Sequence, residues 1–150
     1  MSEDFIALIP TTPEFAPAPE LLEKAKSLLA RFLPDAEEIV SAVTQEIRFV
    51  DQGGNFERIS CPKCAAQLHT DWWQEVMDRA YASKFRHLEV ATPCCGFATT
   101  LNDLEYQRPA GFARCRLEAR NPKQKELSAG QLERLAGLLG TPLRQICVHY

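Results

Sequence analysis

The sequence predicts an α+β protein in which a cysteine-bearing segment interrupts a small core of strands and helices. Three observations carry this prediction. Residues 19–33 and 128–139 place leucines at helical spacing. Short apolar or alternating runs at 5–9, 43–49, 112–120 and 143–149 have the length and period of strands. Four of the six cysteines fall in two tight clusters in the segment between, Cys61-Pro62-Lys63-Cys64 and Pro93-Cys94-Cys95-Gly96.

Taken in order, Phe5–Ile9 is an apolar run that reads as a buried strand, and Pro10 ends it. Pro13, Pro17 and Pro19 make the following stretch an extended connection. Pro19 suits the first turn of a helix. Leu21, Leu22, Ala25, Leu28, Leu29, Phe32 and Leu33 give that helix one apolar side, and Pro34 stops it. Val43, Ile47 and Phe49 alternate with Thr44, Glu46 and Arg48, so a strand is expected in the second half of 37–50. A turn is expected over 51–55, then extended chain from Phe56 to Ser60.

Between the cysteine clusters, Trp72, Trp73, Val76, Met77, Ala80, Tyr81 and Phe85 form the apolar side of a helix that Thr70 or Asp71 can cap. Strands are expected at 87–92 and 97–101, and a loop over 102–110. In 112–120, Ala113, Cys115, Leu117 and Ala119 share one face, and Arg114, Arg116, Glu118 and Arg120 share the other. That is an antiparallel strand with one wet side. Ser128 and Gln131 form a capping box for a helix carrying Leu132, Leu135, Leu138 and Leu139, with Gly140 at its stop. A last strand covers 143–149. With the cysteine segment set aside, the order is βαββαβ, the ferredoxin-like order, with both helices on one face of an antiparallel sheet and the other face more open. The expected core is 1–51 and 111–150. The expected insert, zinc-ribbon-like, is 52–110, between the second and third core strands.

Composition agrees with a globular domain. The 150 residues are 45% hydrophobic and 25% charged, enough to bury a core. No apolar run has transmembrane length. Met1–Asp4 is acidic and Phe5–Ile9 is too short for a signal-peptide core, so a cytoplasmic location and no membrane partner are expected. The net charge of −3 is uneven, −6 over 1–46, −2 over 47–106 and +5 over 107–150. Mild acidity overall argues against a dedicated nucleic-acid binder, whose domain is usually basic.

In a reducing compartment clustered cysteines read first as metal ligands. Zinc takes four thiolate or imidazole ligands in a tetrahedron. Cys61 and Cys64 have the knuckle spacing that turns both sulfurs to one ion. The second cluster departs from it. Aligned on C-P-x-C-G, Thr92 stands where the first cysteine belongs, Cys95 fills the last position, and Cys94 must supply the fourth sulfur from an adjacent residue. The expected ligands of Zn²⁺ are therefore Cys61, Cys64, Cys94 and Cys95, with His69 or His87 in reserve for Cys94. Two alternatives are a metal-free set of reduced cysteines and a redox dithiol at Cys61–Cys64. The dithiol lacks the strand-to-helix context such chemistry uses. A site closed by four thiolates leaves no position for water, so it serves structure, and no catalytic role is assigned. Burial alone is not expected to hold so small an insert together, so the metal would supply its folding energy. Cys115 and Cys147 stand alone and are expected to pack as small apolar groups.

Other candidates are surfaces. His69, His87 and His149 are scattered. Asp71, Glu75 and Asp78 read as a solvated helix face. Trp72 and Trp73 are a candidate partner anchor, with one ring expected in the core. The row Arg114, Arg116, Arg120 could meet an acidic partner or a nucleic-acid backbone, but only Phe112 is in phase with it as a stacking aromatic.

The segments CPKC, DWW…MDRAY, TPCCG, LNDLEY and GFAR resemble a group of uncharacterised bacterial proteins with the same layout, over residues 61–120. That resemblance implies a zinc ribbon and no particular reaction. The size and architecture also resemble bacterial toxin-neutralising immunity proteins. The expectation is a non-enzymatic module that binds another protein, such as a toxin, in an immunity or regulatory role. The competing readings are a nucleic-acid-binding zinc-ribbon protein and an enzyme, either thiol oxidoreductase or zinc hydrolase.

Overall fold

Four strands form the main sheet of the computed structural model, which describes residues 3–51 and 58–149. They are β1 (Asp4–Pro10), β2 (Glu38–Val50), β8 (Gly111–Arg120) and β9 (Leu143–His149), in the order β2-β8-β1-β9 with every neighbouring pair antiparallel. Helix α1 (Pro19–Phe32) links β1 to β2, and α3 (Ala129–Leu139) links β8 to β9. The intervening segment carries β3 (Ile59–Ser60), β4 (Gln67–Leu68), α2 (Thr70–Ala82), β5 (Glu89–Ala91), β6 (Ala98–Thr100) and β7 (Glu105–Tyr106). The protein is thus α+β, with three helices and a mainly antiparallel sheet. No helix among the described residues is long and apolar enough to cross a membrane.

The local signals act where they were expected in both core helices. Pro19 opens α1, which buries Leu22, Ala25 and Leu29. The Ser128 hydroxyl accepts from the Gln131 N–H while the Gln131 side chain accepts from the Ser128 N–H, so two orphan donors of α3 are satisfied. Gly140 ends α3 at φ 79°, a left-handed position that glycine takes without a Cβ penalty. Both helices lie on one face of the sheet, where Ile6 and Leu8 of β1 and Cys115, Leu117 and Ala119 of β8 meet Leu22, Leu29, Leu135 and Leu139. From Cys115 to Ala119 the alternation read in β8 is the alternation of its two faces, but Ala113, expected beside Cys115, packs instead with Ala7 and Ile9.

The other face is less open than expected. Phe112, fully buried, joins Ile47 in a second core with Ile59, Leu68, Trp73, Val76, Met77, Leu88, Leu101 and Leu104 of the inserted segment. The insert therefore lies over one end of the sheet and shares a core with it. A smaller cluster gathers Ala7, Ile9, Val50, Ala113, Ile146 and Val148.

Several local expectations change. β2 is a strand along its full length, not only its second half, with a register shift against β8 between Val43 and Arg48. That bulge explains the mixed period of 43–49. The residue before α2 is His69, and no side chain caps that end, so neither Thr70 nor Asp71 acts there. The stretch expected as a loop holds a 3₁₀ turn, Leu101–Asp103, and β7. Cys115 is buried as expected, but Cys147 is exposed, its thiol donating to the Lys125 carbonyl at 3.3 Å. The expected turn over 51–55, apart from Asp51, and the extended run at Phe56 lie outside the described residues.

Candidate metal centre

Two hairpins carry the cysteine clusters. Cys61–Ala66 forms the turn between β3 and β4, and Thr92–Phe97 the turn between β5 and β6. The two turns repeat each other bond for bond. In the first, the Cys61 N–H donates to the Ala66 carbonyl (2.9 Å) and the Ala65 N–H to the Cys61 carbonyl (3.0 Å). In the second, the Thr92 N–H donates to the Phe97 carbonyl (3.0 Å) and the Gly96 N–H to the Thr92 carbonyl (2.8 Å). The fifth residue is left-handed in both, Ala65 at φ 63° and Gly96 at φ 71°. Ala65 bears a Cβ in a region that favours glycine, which costs on the order of 1 kcal/mol.

The repeat places Thr92 where the first turn has Cys61, and Cys95 where it has Cys64. Cys94 occupies the position of Lys63, a residue out of phase, yet its sulfur still reaches the cluster. Cys64 Sγ is 3.3 Å from Cys94 Sγ, and Cys61 Sγ is 3.7 Å from Cys95 Sγ. All four sulfurs lie within 4.8 Å of one another. A tetrahedron with metal–sulfur bonds of about 2.3 Å has edges of about 3.8 Å, so these separations suit four ligands around one ion. The cluster could hold a metal ion. Among the described residues neither His69 nor His87 belongs to it. His69 precedes α2, and His87 lies in the groove beside it.

Thr92 is the group that counting cysteines overlooks. It is 2% exposed, and its hydroxyl lies 3.6 Å from Cys61 Sγ and 3.5 Å from Cys95 Sγ while accepting from the Phe97 N–H at 3.1 Å. A threonine in a cysteine's place thus serves as a hydrogen-bonding neighbour of two sulfurs. The thiols respond unequally. Burial works against the Cys61 thiolate, but the Cys64 N–H, the Thr92 hydroxyl and the Lys63 N–H outweigh it, and the thiol is lowered to about 6. For Cys64 the Ala66 N–H favours the thiolate. The neighbouring Cys94 sulfur, burial, and the sulfurs of Cys61 and Cys95 outweigh that and raise it to about 12. The thiolate is thus favoured at Cys61 and disfavoured at Cys64, where neighbouring sulfurs crowd it. Metal binding by thiols releases protons, and a divalent cation would offset the crowding at Cys64.

The cluster is fastened to the sheet by polar groups that no motif announces. Asn102, 3% exposed, donates to the Thr11 carbonyl (2.9 Å) and accepts from the Phe112 N–H (2.9 Å). Arg144 of β9 donates to the Asn102 and Ala110 carbonyls at 2.9 Å and 2.6 Å. Gly111 allows this approach, since a Cβ there would sit 2.7 Å from Arg144 Nη1 and 2.9 Å from Ile9 Cδ1. Trp73 Nε1 donates to the Tyr106 hydroxyl (3.3 Å), which donates to the Leu101 carbonyl (2.6 Å).

The candidate partner residues divide. Trp73 is in the core beside Phe49, and Trp72 is half-buried on the rim of a groove. Asp71, Glu75 and Asp78 are exposed; Glu75 pairs with Arg79, and Asp78 accepts from Gln74. The arginine row is engaged within the chain. Arg114 donates to the Thr44 carbonyl at 2.9 Å, Arg116 pairs with Glu118, and Arg120 lies within ion-pair reach of Glu3, Glu37 and Glu38. Phe112, the one aromatic in phase with the row, is buried beneath the insert.

Comparison with protein-family models, with curated proteins and with solved structures found no match to this chain.

Proposed function

We propose that this chain is a non-enzymatic protein-binding module: a ferredoxin-like βαββαβ core whose inserted zinc ribbon is closed by one structural Zn²⁺ on Cys61, Cys64, Cys94 and Cys95. The observation that carries this reading is the convergence of four sulfurs from two equivalent hairpin turns. Four soft donors at tetrahedral spacing favour zinc among the common divalent ions of that geometry. They also fill its coordination, so the ion orders the two turns and offers no site to a substrate. The strand order β2-β8-β1-β9, with a helix in each crossover, supports the ferredoxin-like reading. The two hairpins meeting tip to tip support the ribbon.

With the metal's coordination filled by sulfur, although Cys64, Cys94 and Cys95 are exposed, the protein acts through its surface. The internal pairing of Arg114, Arg116 and Arg120 weighs toward a protein partner over a nucleic-acid backbone. A role in neutralising or regulating another bacterial protein fits this architecture.

Metal analysis of the purified chain tests the centre. One zinc per chain is expected, with four thiols protected from a thiol reagent until a chelator is added. Cobalt substitution should give the intense visible bands of a tetrahedral four-thiolate site. A water ligand on the cobalt, or four freely reactive thiols, would overturn the structural reading and reopen catalysis or redox chemistry.

A further inference from the structure

Beside the metal centre runs a groove of about 460 Å³, walled on one side by α2 and on the other by β5. Trp72, Val76 and Ala80 line the helix side at successive turns, and Val90 and Leu101 lie opposite. We propose that this groove binds an extended segment of a partner protein, which adds to β5 as a new strand. The proposal rests on the reading of the chain as a protein-binding module and assigns it a contact surface.

The hydrogen-bond phase of β5 identifies the occupant. The Leu101 N–H donates to the Leu88 carbonyl at 2.8 Å, and the Thr92 N–H to the Phe97 carbonyl at 3.0 Å. In an antiparallel ladder alternate residues exchange bonds with the same neighbour. Leu88, Val90 and Thr92 therefore bond toward β6, and Val90 stands opposite Thr99. Glu89 and Ala91 turn their N–H and carbonyl groups to the outer edge. Among the described residues β5 pairs with β6 alone, and both Glu89 and Ala91 are exposed. An edge with free peptide groups beside an apolar trough asks for two things at once. It asks for backbone donors and acceptors in line, and for an apolar side chain at every second residue. An extended peptide supplies both; a compact small molecule or a helix supplies only the second. Arg79 and Glu89 on the rim have opposite signs, so the groove selects by its apolar anchor and not by net charge.

The test uses the full chain loaded with zinc, with metal content measured in every sample. A displayed library of random decapeptides is selected against it, and the winners are synthesised and titrated. Winners with apolar residues at alternate positions are expected, and Glu89 and Ala91 amides should gain exchange protection on binding. Ala91→Pro removes an outward donor without touching a bond to β6. It should weaken binding roughly tenfold, the scale of one hydrogen bond plus its misfit. Trp72→Ala should weaken it by a similar factor. On the peptide side, N-methylation of alternate amides should abolish binding, while methylation of the intervening amides should be tolerated, which leaves the protein unaltered. A zinc-loaded chain that selects no peptide overturns the proposal. So do winners indifferent both to the two variants and to the methylation phase. A chain that binds no zinc fails the metal reading instead, and the two failures are told apart in the same samples.

Discussion

The two faces of the main sheet are finished by different means. On one face, Ile6, Leu8, Leu117 and Ala119 meet Leu22, Leu29, Leu135 and Leu139, a continuous aliphatic layer under two helices of ordinary length. On the other, an aromatic group formed by Phe49, Phe112, Trp73, Phe85 and Tyr106 joins the sheet to an insert whose strands run two or three residues each. A helix of several turns closes most of its own backbone bonds and needs only a greasy side. Two-residue strands cannot do that. They need cross-links, and here the Tyr106 hydroxyl and the bond from Arg144 to the Asn102 carbonyl supply them, beside four sulfurs that could hold a metal ion. The insert nevertheless has a substantial buried core of its own, shared with Phe112.

The sharpest way to break this comparison is to remove the metal. Structural zinc is worth on the order of 10 kcal/mol in small isolated modules. Cys61→Ser, or chelation of the native chain, should strip amide-exchange protection from 59–106 while β1, β8 and β9 stay protected. If exchange in the insert does not change, its own core suffices and the metal is dispensable to folding.

Truncation in the two cores comes next. Phe112→Ala should cost about 3–5 kcal/mol and Leu29→Ala about 2–5 kcal/mol in denaturant unfolding. They should differ in zinc affinity, measured against a chromophoric chelator. Phe112→Ala weakens it by loosening the seat of the insert, and Leu29→Ala leaves it near the native value. Equal effects on the metal would mean that the faces are not separable.

Smaller still is the polar tie. Asn102→Ala strands the buried Phe112 N–H and takes the side-chain donor from the Thr11 carbonyl, which should cost about 1–3 kcal/mol. Gly111→Ala, whose added carbon meets Arg144 and Ile9, should cost a similar amount through displacement of those two side chains. On the helix face, Ser128→Ala removes the capping box and should lower stability by about 1 kcal/mol, with no change at the metal. Least of all is the exposed Lys84–Glu46 pair at 3.2 Å, which ties the insert to β2. Lys84→Ala should shift the melting temperature by no more than the scatter expected for a surface pair, under about 1 kcal/mol.

How much of this was legible in the chain follows the same division. Ser128, Gln131 and Gly140 act through bonds three to five residues long, and they act as read. The pairing of Cys61 with Cys64 is likewise local. Whether Cys94 could reach was not, because its place in the knuckle is one residue off and only the facing hairpin brings a sulfur within 3.3 Å. The arginine row had the right face but not the right company. Glu3, Glu37, Glu38 and the Thr44 carbonyl come from elements distant in sequence. Cys147 misled because an apolar neighbourhood in sequence does not imply a covered one at the edge strand of a sheet.

The sequence by itself determined the two core helices, the alternation of β8 from Cys115 to Ala119 and the cysteine clusters that could hold a metal ion, because period, caps and cysteine spacing are short-range properties of one chain segment. Only the tertiary structure decided that Thr92 neighbours two sulfurs, that Asn102 and Arg144 fasten the insert, and that Phe112 is buried under it. Each of these is a meeting of segments dozens of residues apart, where the energy lies in satisfied buried groups and shared volume that no local pattern encodes.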